Sequence, residues 1–163
     1  MIVDADTTPI NHLVLIGRID ILATMFDRVV IPPIVKLELM HPRTPAGVRA
    51  WIDSPPAWLL VDAGAGVVMP RGLEGLDAGE QAAIELALRF DAATVLMDER
   101  RGREAARRLG LRVLGTLGVL EHAYRSGVTR DLRADLQALS TTSFYVAEDL
   151  IAMMLRRNGL PPL

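Results

Sequence analysis

Apolar positions along the chain follow two periods, and their alternation predicts the fold. Short apolar runs without helical spacing read as buried strands. They are Met1-Ile2-Val3, Val29-Val30-Ile31, Trp58-Leu59-Leu60-Val61, Ala92 to Met97 and Leu111 to Leu114. The run from Ala92 is apolar almost throughout, as a central parallel strand should be. Helical spacing fills the intervals. Ile10, Leu13 and Val14, then Ile21, Leu22, Met25 and Phe26, predict two short helices separated by Gly17. Pro32-Pro33 fits a helix start, followed by a stripe through Ile34, Leu37 and Met40. Val48, Trp51 and Ile52 suggest another helix, and Ala63 to Gly75, rich in Gly, reads as a loop. That loop has neither a dinucleotide-binding glycine spacing nor a Walker-type Lys.

The second half repeats the alternation. A helix opens at Leu76-Asp77-Ala78-Gly79-Glu80 and runs to about Phe90. An Arg-rich helix follows Asp98-Glu99, with Ala105, Ala106 and Leu109 inward and Gly110 at its close. Gly115-Thr116 starts a helix through Leu117, Leu120 and Tyr124, and Asp131 to Leu139 forms the next. Ala147, Leu150, Ile151, Met154 and Leu155 fall on one helical face, ended by Asn158-Gly159 and Pro161-Pro162. Strands alternating with helices predict an α/β fold: a central parallel sheet with helices on both faces. A length of 163 residues suits one domain, 1–163, with the helices over about 131–158 packed onto it.

Composition narrows the chemistry. There is no Cys, which excludes disulfides, thiolate metal sites and a Cys nucleophile. His12, His41 and His122 form no local ligand motif. No apolar run approaches the ~20 residues of a membrane span, and MIVDAD lacks the basic start of a signal peptide, so a soluble cytoplasmic protein is expected. Net charge is -2, with Lys36 the only Lys. Yet residues 100–112 carry Arg100, Arg101, Arg103, Arg107, Arg108 and Arg112 against Glu104 alone. Such a helix either meets phosphates or is a solvated face.

Four acids stand where this architecture gathers ligands. Asp6 and Asp98 sit at carboxyl ends of strands, which open onto the crevice of an α/β sheet. Glu38 is on or beside the apolar stripe of its helix, where a Glu is costly unless it has a partner. Glu80 opens the helix leading to the strand that ends at Asp98. Each has a plainer reading. Asp6 or Thr8 can cap a helix, and Asp77 with Glu80 has the form of a capping box. If the four converge, charge decides the outcome. Two carboxylates ~5 Å apart at an effective dielectric of ~20 repel by about 3 kcal/mol. Such a cluster calls for a cation, and all-oxygen donors suit Mg²⁺ or Mn²⁺.

The segments MIVDADTTPINHLVLIGRIDIL, VVIPPIVKLEL, LDAGEQAAIELAL and ATVLMDERRGREAARRLGLRVLGTLGVL together resemble the PIN-domain nucleases. They are most similar to small bacterial members related to VapC-type toxins. The resemblance runs to about Arg125, and the last helices suit the same subgroup. It implies a PIN-like three-layer fold and a Mg²⁺- or Mn²⁺-dependent endoribonuclease, often a homodimer and often neutralised by a small antitoxin. It puts the family's acids on Asp6, Glu38, Glu80 and Asp98, with Glu99 able to take or share the fourth role. Thr7 or Thr8 fills the hydroxyl position beside the first acid, and Arg100, Arg101 and Arg103 are expected to bind RNA. Asp4 is an extra acid that the resemblance does not assign.

Two other readings remain open at this point. Asp4-Ala5-Asp6-Thr7-Thr8 matches the D-x-D-x-T motif of haloacid-dehalogenase-like phosphatases, with Asp4 as nucleophile and Asp6 as general acid. That chemistry also wants a later Lys, and Lys36 lies early. A catalytically inactive PIN fold would serve only to bind. Surplus apolar residues over Ile10 to Phe26 and along the last helix suggest a homodimer or a partner groove.

Overall fold

The computed structural model describes residues 1–62, 71–90 and 94–163. The strands are β1 (Ile2–Ala5), β2 (Arg28–Ile31), β3 (Leu59–Val61), β4 (Thr94–Leu96) and β5 (Arg112–Leu114). Among the described residues they form one five-stranded sheet in the order β3-β2-β1-β4-β5. Every pairing is parallel, as the alternating pattern predicts. The expected strand starts Ala92 and Ala93, and the loop residues 63–70, lie outside the described residues.

The helices are α1 (Thr7–Leu15), α2 (Ile21–Met25), α3 (Pro33–Leu39), α4 (Ala46–Asp53), α5 (Ala78–Arg89), α6 (Arg100–Arg108), α7 (Thr116–Arg125), α8 (Leu132–Ser140) and α9 (Glu148–Arg157). They fall into two layers. Val3, Ala5, Val29, Ile31 and Leu96 face a large core shared with α1, α3, α4, α7, α8 and α9. Val95 and Met97 face a smaller core made by α5 and α6, through Ala83, Ile84, Ala87, Ala105 and Ala106. The small side chains of that second core let α5 and α6 lie close to the sheet. Gly17, at φ +66°, ends α1, and Gly110, at φ +86°, ends α6, both in a conformation glycine adopts without strain.

One expectation about an apolar face is corrected. The buried stripe of α3 is Val35 and Leu39, not Ile34, Leu37 and Met40; Leu37 is 68% exposed. The helix is rotated so that Ile34 and Glu38, one turn apart, flank the buried row half-covered. Over Ile10 to Phe26 most apolar side chains serve the core, since Ile10, Leu13, Ile19, Ile21, Leu22 and Phe26 are buried, while Leu15 is 37% exposed. Other exposed apolar side chains are Leu37 and Met40 on and after α3, Leu60 and Val61 on the edge strand β3, and Leu150 and Met153 on α9.

The last helix is held by a charged clasp. Glu121 of α7 accepts from Arg157 and from Asn158 Nδ2 at 2.7 Å, and pairs with Arg125 at 3.2 Å. Burial alone would raise the Glu121 carboxyl, but the bonds from Arg157 and Asn158 prevail and hold it below its ordinary value. Removing it leaves those donors without their acceptor. Glu121→Ala is expected to lower stability by about 1–3 kcal/mol. Chemical denaturation, with hydrogen exchange showing α9 opening first, checks it.

Candidate active site

The carboxyl ends of β1 and β4 lie side by side, joined by the Asp6 amide donating to the Leu96 carbonyl at 3.0 Å. Asp6 follows β1 directly and occupies the N-cap position of α1. Its side chain makes no capping hydrogen bond, so the capping reading of Asp6 is not met. The carboxylate is 4% exposed. Burial pushes its pKa up to about 7, the Thr7 backbone amide opposes this, and the charges of Asp77, Glu80 and Glu38 push it further up. Asp6, Glu38 and Glu80 therefore feel one another at one end of the sheet.

Each companion acid is fixed by its own local structure. Glu38, on α3, accepts a hydrogen bond from the Thr7 hydroxyl. The expected hydroxyl beside the first acid thus holds the second. Thr8 contributes its carbonyl, 2.9 Å from His12 Nδ1. Glu80 does form the capping box with Asp77: its Oε2 accepts from the Asp77 amide at 3.0 Å, and its own amide donates to Asp77 Oδ1 at 2.8 Å. The box uses one carboxylate oxygen. Oε1 is buried without a hydrogen-bond partner among the described residues. Burial raises the Glu80 pKa against the Asp77 amide; Asp77 and Glu99 add to the rise and Arg101 opposes it.

Asp98 is held differently. It accepts from the Thr116 amide at 2.7 Å and the Thr116 hydroxyl at 2.6 Å, closing the start of α7. Burial again raises its pKa, while Thr116, His12 and Arg103 pull it down. Glu99 is the exposed N-cap residue of α6 and acts on Glu80 through its charge. Of the expected RNA-binding arginines, Arg101 and Arg103 act on the acids, whereas Arg100 is turned outward, 88% exposed and paired with Glu104 at 2.9 Å. The i,i+4 spacing explains that pairing.

Three glycines leave room for these carboxylates. A Cβ on Gly79 would stand 2.8 Å from Glu38 Oε2, one on Gly102 2.6 Å from Glu80 Oε1, and one on Gly115 2.8 Å from Asp98 Oδ1. Their helical or extended backbones need no glycine, so close approach is their reason for being there. A Gly102 Cβ would also lie 2.3 Å from the Met97 sulfur. Gly102→Ala is therefore expected to destabilise the fold by about 1–3 kcal/mol and to displace Glu80, lowering activity at temperatures where the protein stays folded. Circular dichroism and activity, read together, check this.

The family comparison decides what kind of site this is. A family model described as DUF3368, a PIN domain, matches residues 1–159. The chain belongs to the PIN-domain family. No curated protein and no solved structure matches it. The five-stranded parallel sheet between two helical layers is the PIN-like α/β architecture. As a PIN domain the chain is a nuclease-type hydrolase, from a family that acts on nucleic acids and generally depends on a divalent metal. No helix among the described residues is long and apolar enough to cross a membrane.

The donor set of the PIN site fits such an ion. It is all carboxylate oxygen, Glu80 Oε1 is buried without a partner among the described residues, and Asp6 is pressed by three neighbouring acids. Among the described residues, no three His, Asp or Glu close into a complete ligand group. Sequence reading did not single out Thr116 or His12. Thr116 follows a strand-ending Gly115, which signals only a helix start. His12 gains its meaning from Asp98, a neighbour 86 positions away in sequence.

Proposed function

We propose that this PIN domain is a Mg²⁺- or Mn²⁺-dependent endoribonuclease whose reaction is carried by Asp6, Glu38, Glu80 and Asp98. The observation that carries the reading is the state of Asp6: a buried carboxylate that Glu38, Glu80 and Asp77 push up in pKa, with no ion pair within 4 Å among the described residues. A cluster of that kind is compensated by a cation. Asp6 and Glu80 Oε1 are the donors best placed to hold it, with Glu38, Asp98 and Glu99 around them. A bound divalent ion supplies an oriented, more acidic water and neutralises charge on the phosphate. Thr7 keeps Glu38 turned toward Asp6, and Thr116 keeps Asp98 at the strand end. Arg101 and Arg103, reaching in from α6, bind the RNA backbone.

The phosphatase reading loses its nucleophile. Asp4 is fully buried, so its carboxylate has no access to a phosphate ester. The toxin role, with a small antitoxin and a homodimer, belongs to the same proposal. It is supported by the exposed Leu37 and Met40 flanking Glu38 on α3, apolar surface beside the acids that a partner would cover.

Purified protein incubated with single-stranded RNA, in EDTA, Mg²⁺ or Mn²⁺, tests the reading. Cleavage with either ion and none in EDTA is expected. Binding of RNA without turnover under any of these conditions would establish the binding-module alternative instead. Sedimentation tests the dimer, which predicts a twofold mass lost in Leu37→Arg.

A further inference from the structure

From Asp98 a cleft of about 370 Å³ runs outward between β5, the start of α7 and the segment leading into α9. That volume lies at the small end of the ~300–1,000 Å³ range of ligand sites. Asp98, Arg103, Leu114, Leu117, Tyr145 and Arg157 are among the residues that line it. Tyr145 is the most conspicuous member, because it is 94% exposed while both sequence neighbours are partly buried against the core.

The backbone explains that exposure. Residues 144–147 run between α8 and α9 without regular structure. Phe144 and Val146 alternate inward, which turns Tyr145 out. Phe144 is anchored. Its ring meets His12 edge-on at a centroid distance of 4.9 Å, and its amide donates to Thr142 Oγ1 at 3.1 Å. His12 in turn lies beside Thr8. The segment that carries the exposed tyrosine is thus anchored, through Phe144 and His12, to α1, the helix that follows Asp6. An unpacked aromatic ring gains nothing for the fold by standing in water.

Charge completes the picture. Arg103 has no ion pair within 4 Å among the described residues. Glu121 is shared between Arg125 and Arg157, which leaves that group positive overall. An aromatic face flanked by arginines and opening onto a phosphodiester-cleaving site is the combination that holds single-stranded nucleic acid: bases stack on the ring and the backbone follows the cations.

We propose that this cleft is a nucleotide subsite, in which the base next to the scissile phosphate of a single-stranded RNA stacks on Tyr145 while Arg103 holds its phosphate. The inference rests on the ribonuclease reading for its orientation, and on the cleft alone for its binding chemistry. Stacking is indifferent to base identity, so the subsite selects unpaired RNA over duplex without specifying a sequence.

The full-length protein carrying Tyr145→Trp tests binding without turnover. In EDTA, oligoadenylate about 10 nucleotides long, within the span such grooves take, should quench the added fluorescence. Inorganic polyphosphate, which has charge but no base, should not. Trp51 and Trp58, on α4 and just before β3, lie away from β5 at the opposite edge of the sheet and give a constant background. Tyr145→Ala should weaken oligoadenylate binding about ten- to a hundredfold, raise KM with kcat little changed, and leave thermal stability unaltered; Tyr145→Phe should restore binding. Equal quenching by polyphosphate, or unchanged oligoadenylate affinity in Tyr145→Ala, would overturn the subsite. So would loss of self-association in Tyr145→Ala with RNA affinity intact, since the surface would then be a protein interface. If the parent protein cleaves RNA and Tyr145→Ala behaves identically, the subsite fails and the nuclease reading stands. If quenching occurs but the parent cleaves nothing, the subsite stands and the nuclease reading fails.

Discussion

Asp6→Asn is expected to cut RNA cleavage severely and to make the metal-free protein more stable at alkaline pH. Both effects come from one carboxylate. A bound ion contributes several kcal/mol of charge stabilisation, and each ~1.4 kcal/mol is tenfold in rate, so cleavage should fall by roughly a hundredfold or more. The stability effect follows from the sign of the shift. The folded carboxyl titrates at about 7 against an ordinary 3.8. Folding therefore disfavours the charged form. The penalty is absent below the ordinary value, grows as pH rises toward 7, and is complete above it, on the order of 4 kcal/mol. Asn carries no charge and escapes the penalty. Urea unfolding in EDTA should show the variant above the parent near pH 8 and the gap narrowing near pH 5. Mg²⁺ should close the gap from the other side by stabilising the parent alone. A variant equal to the parent at both pH values would refute the electrostatic account of the site.

How much of this was readable in the chain depended on the range of the interaction. Strand and helix positions were legible because period and punctuation are local: Gly17, Pro33, Asp77 and Gly110 mark boundaries where the structure has them. The parallel sheet followed from alternation. The rotation of α3 did not, because Ile34, Leu37 and Met40 and the observed Val35 and Leu39 are both helical stripes, and only the sheet beneath decides between them. The capping box at Asp77 and the acid role at Glu80 looked like alternatives, yet a carboxylate has two oxygens and the structure gives the box only one. The grip of Thr116 on Asp98 spans 18 positions and has no local signal.

Asp4→Val is the second large expected effect, and it is a gain. Asp4 lies in the middle of β1, paired in register with Val30 and Val95, on the face that Val95 shares with α5. It is fully buried, and neither carboxylate oxygen has a hydrogen-bond partner among the described residues. Burial is the main cause that raises its pKa well above 3.8; the nearby Ala5 backbone amide opposes it, and Asp62 and Asp6 add to the rise. A Val matches the strand and its neighbours and removes the unsatisfied group, so the fold should gain about 1–3 kcal/mol near neutral pH. Asp4 points the same way as Asp6 but about 6.6 Å farther back along the strand. Loss of cleavage in Asp4→Val should therefore be milder than in Asp6→Asn. Denaturant midpoints and RNA cleavage, measured on the same preparation, separate the effects. A phosphate-ester hydrolysis that vanishes with Asp4 would sink the nuclease proposal.

The place of β1 at the centre of the sheet also governs how the protein is made. Its partner on one side, β2, begins 26 residues downstream, but the partner on the other side, β4, begins 92 residues downstream. During synthesis β1 can pair on one edge early and must wait for the other. Until β4 arrives, that edge offers unpaired amides and carbonyls next to buried apolar side chains, a template for aggregation. Contacts so distant in sequence also fold slowly. The acids of β1, α5 and β4 meet only in that last pairing. A nascent or truncated chain ending before residue 94 lacks Asp98 and leaves the inner edge of β1 open, so it is expected to be inactive and prone to self-association.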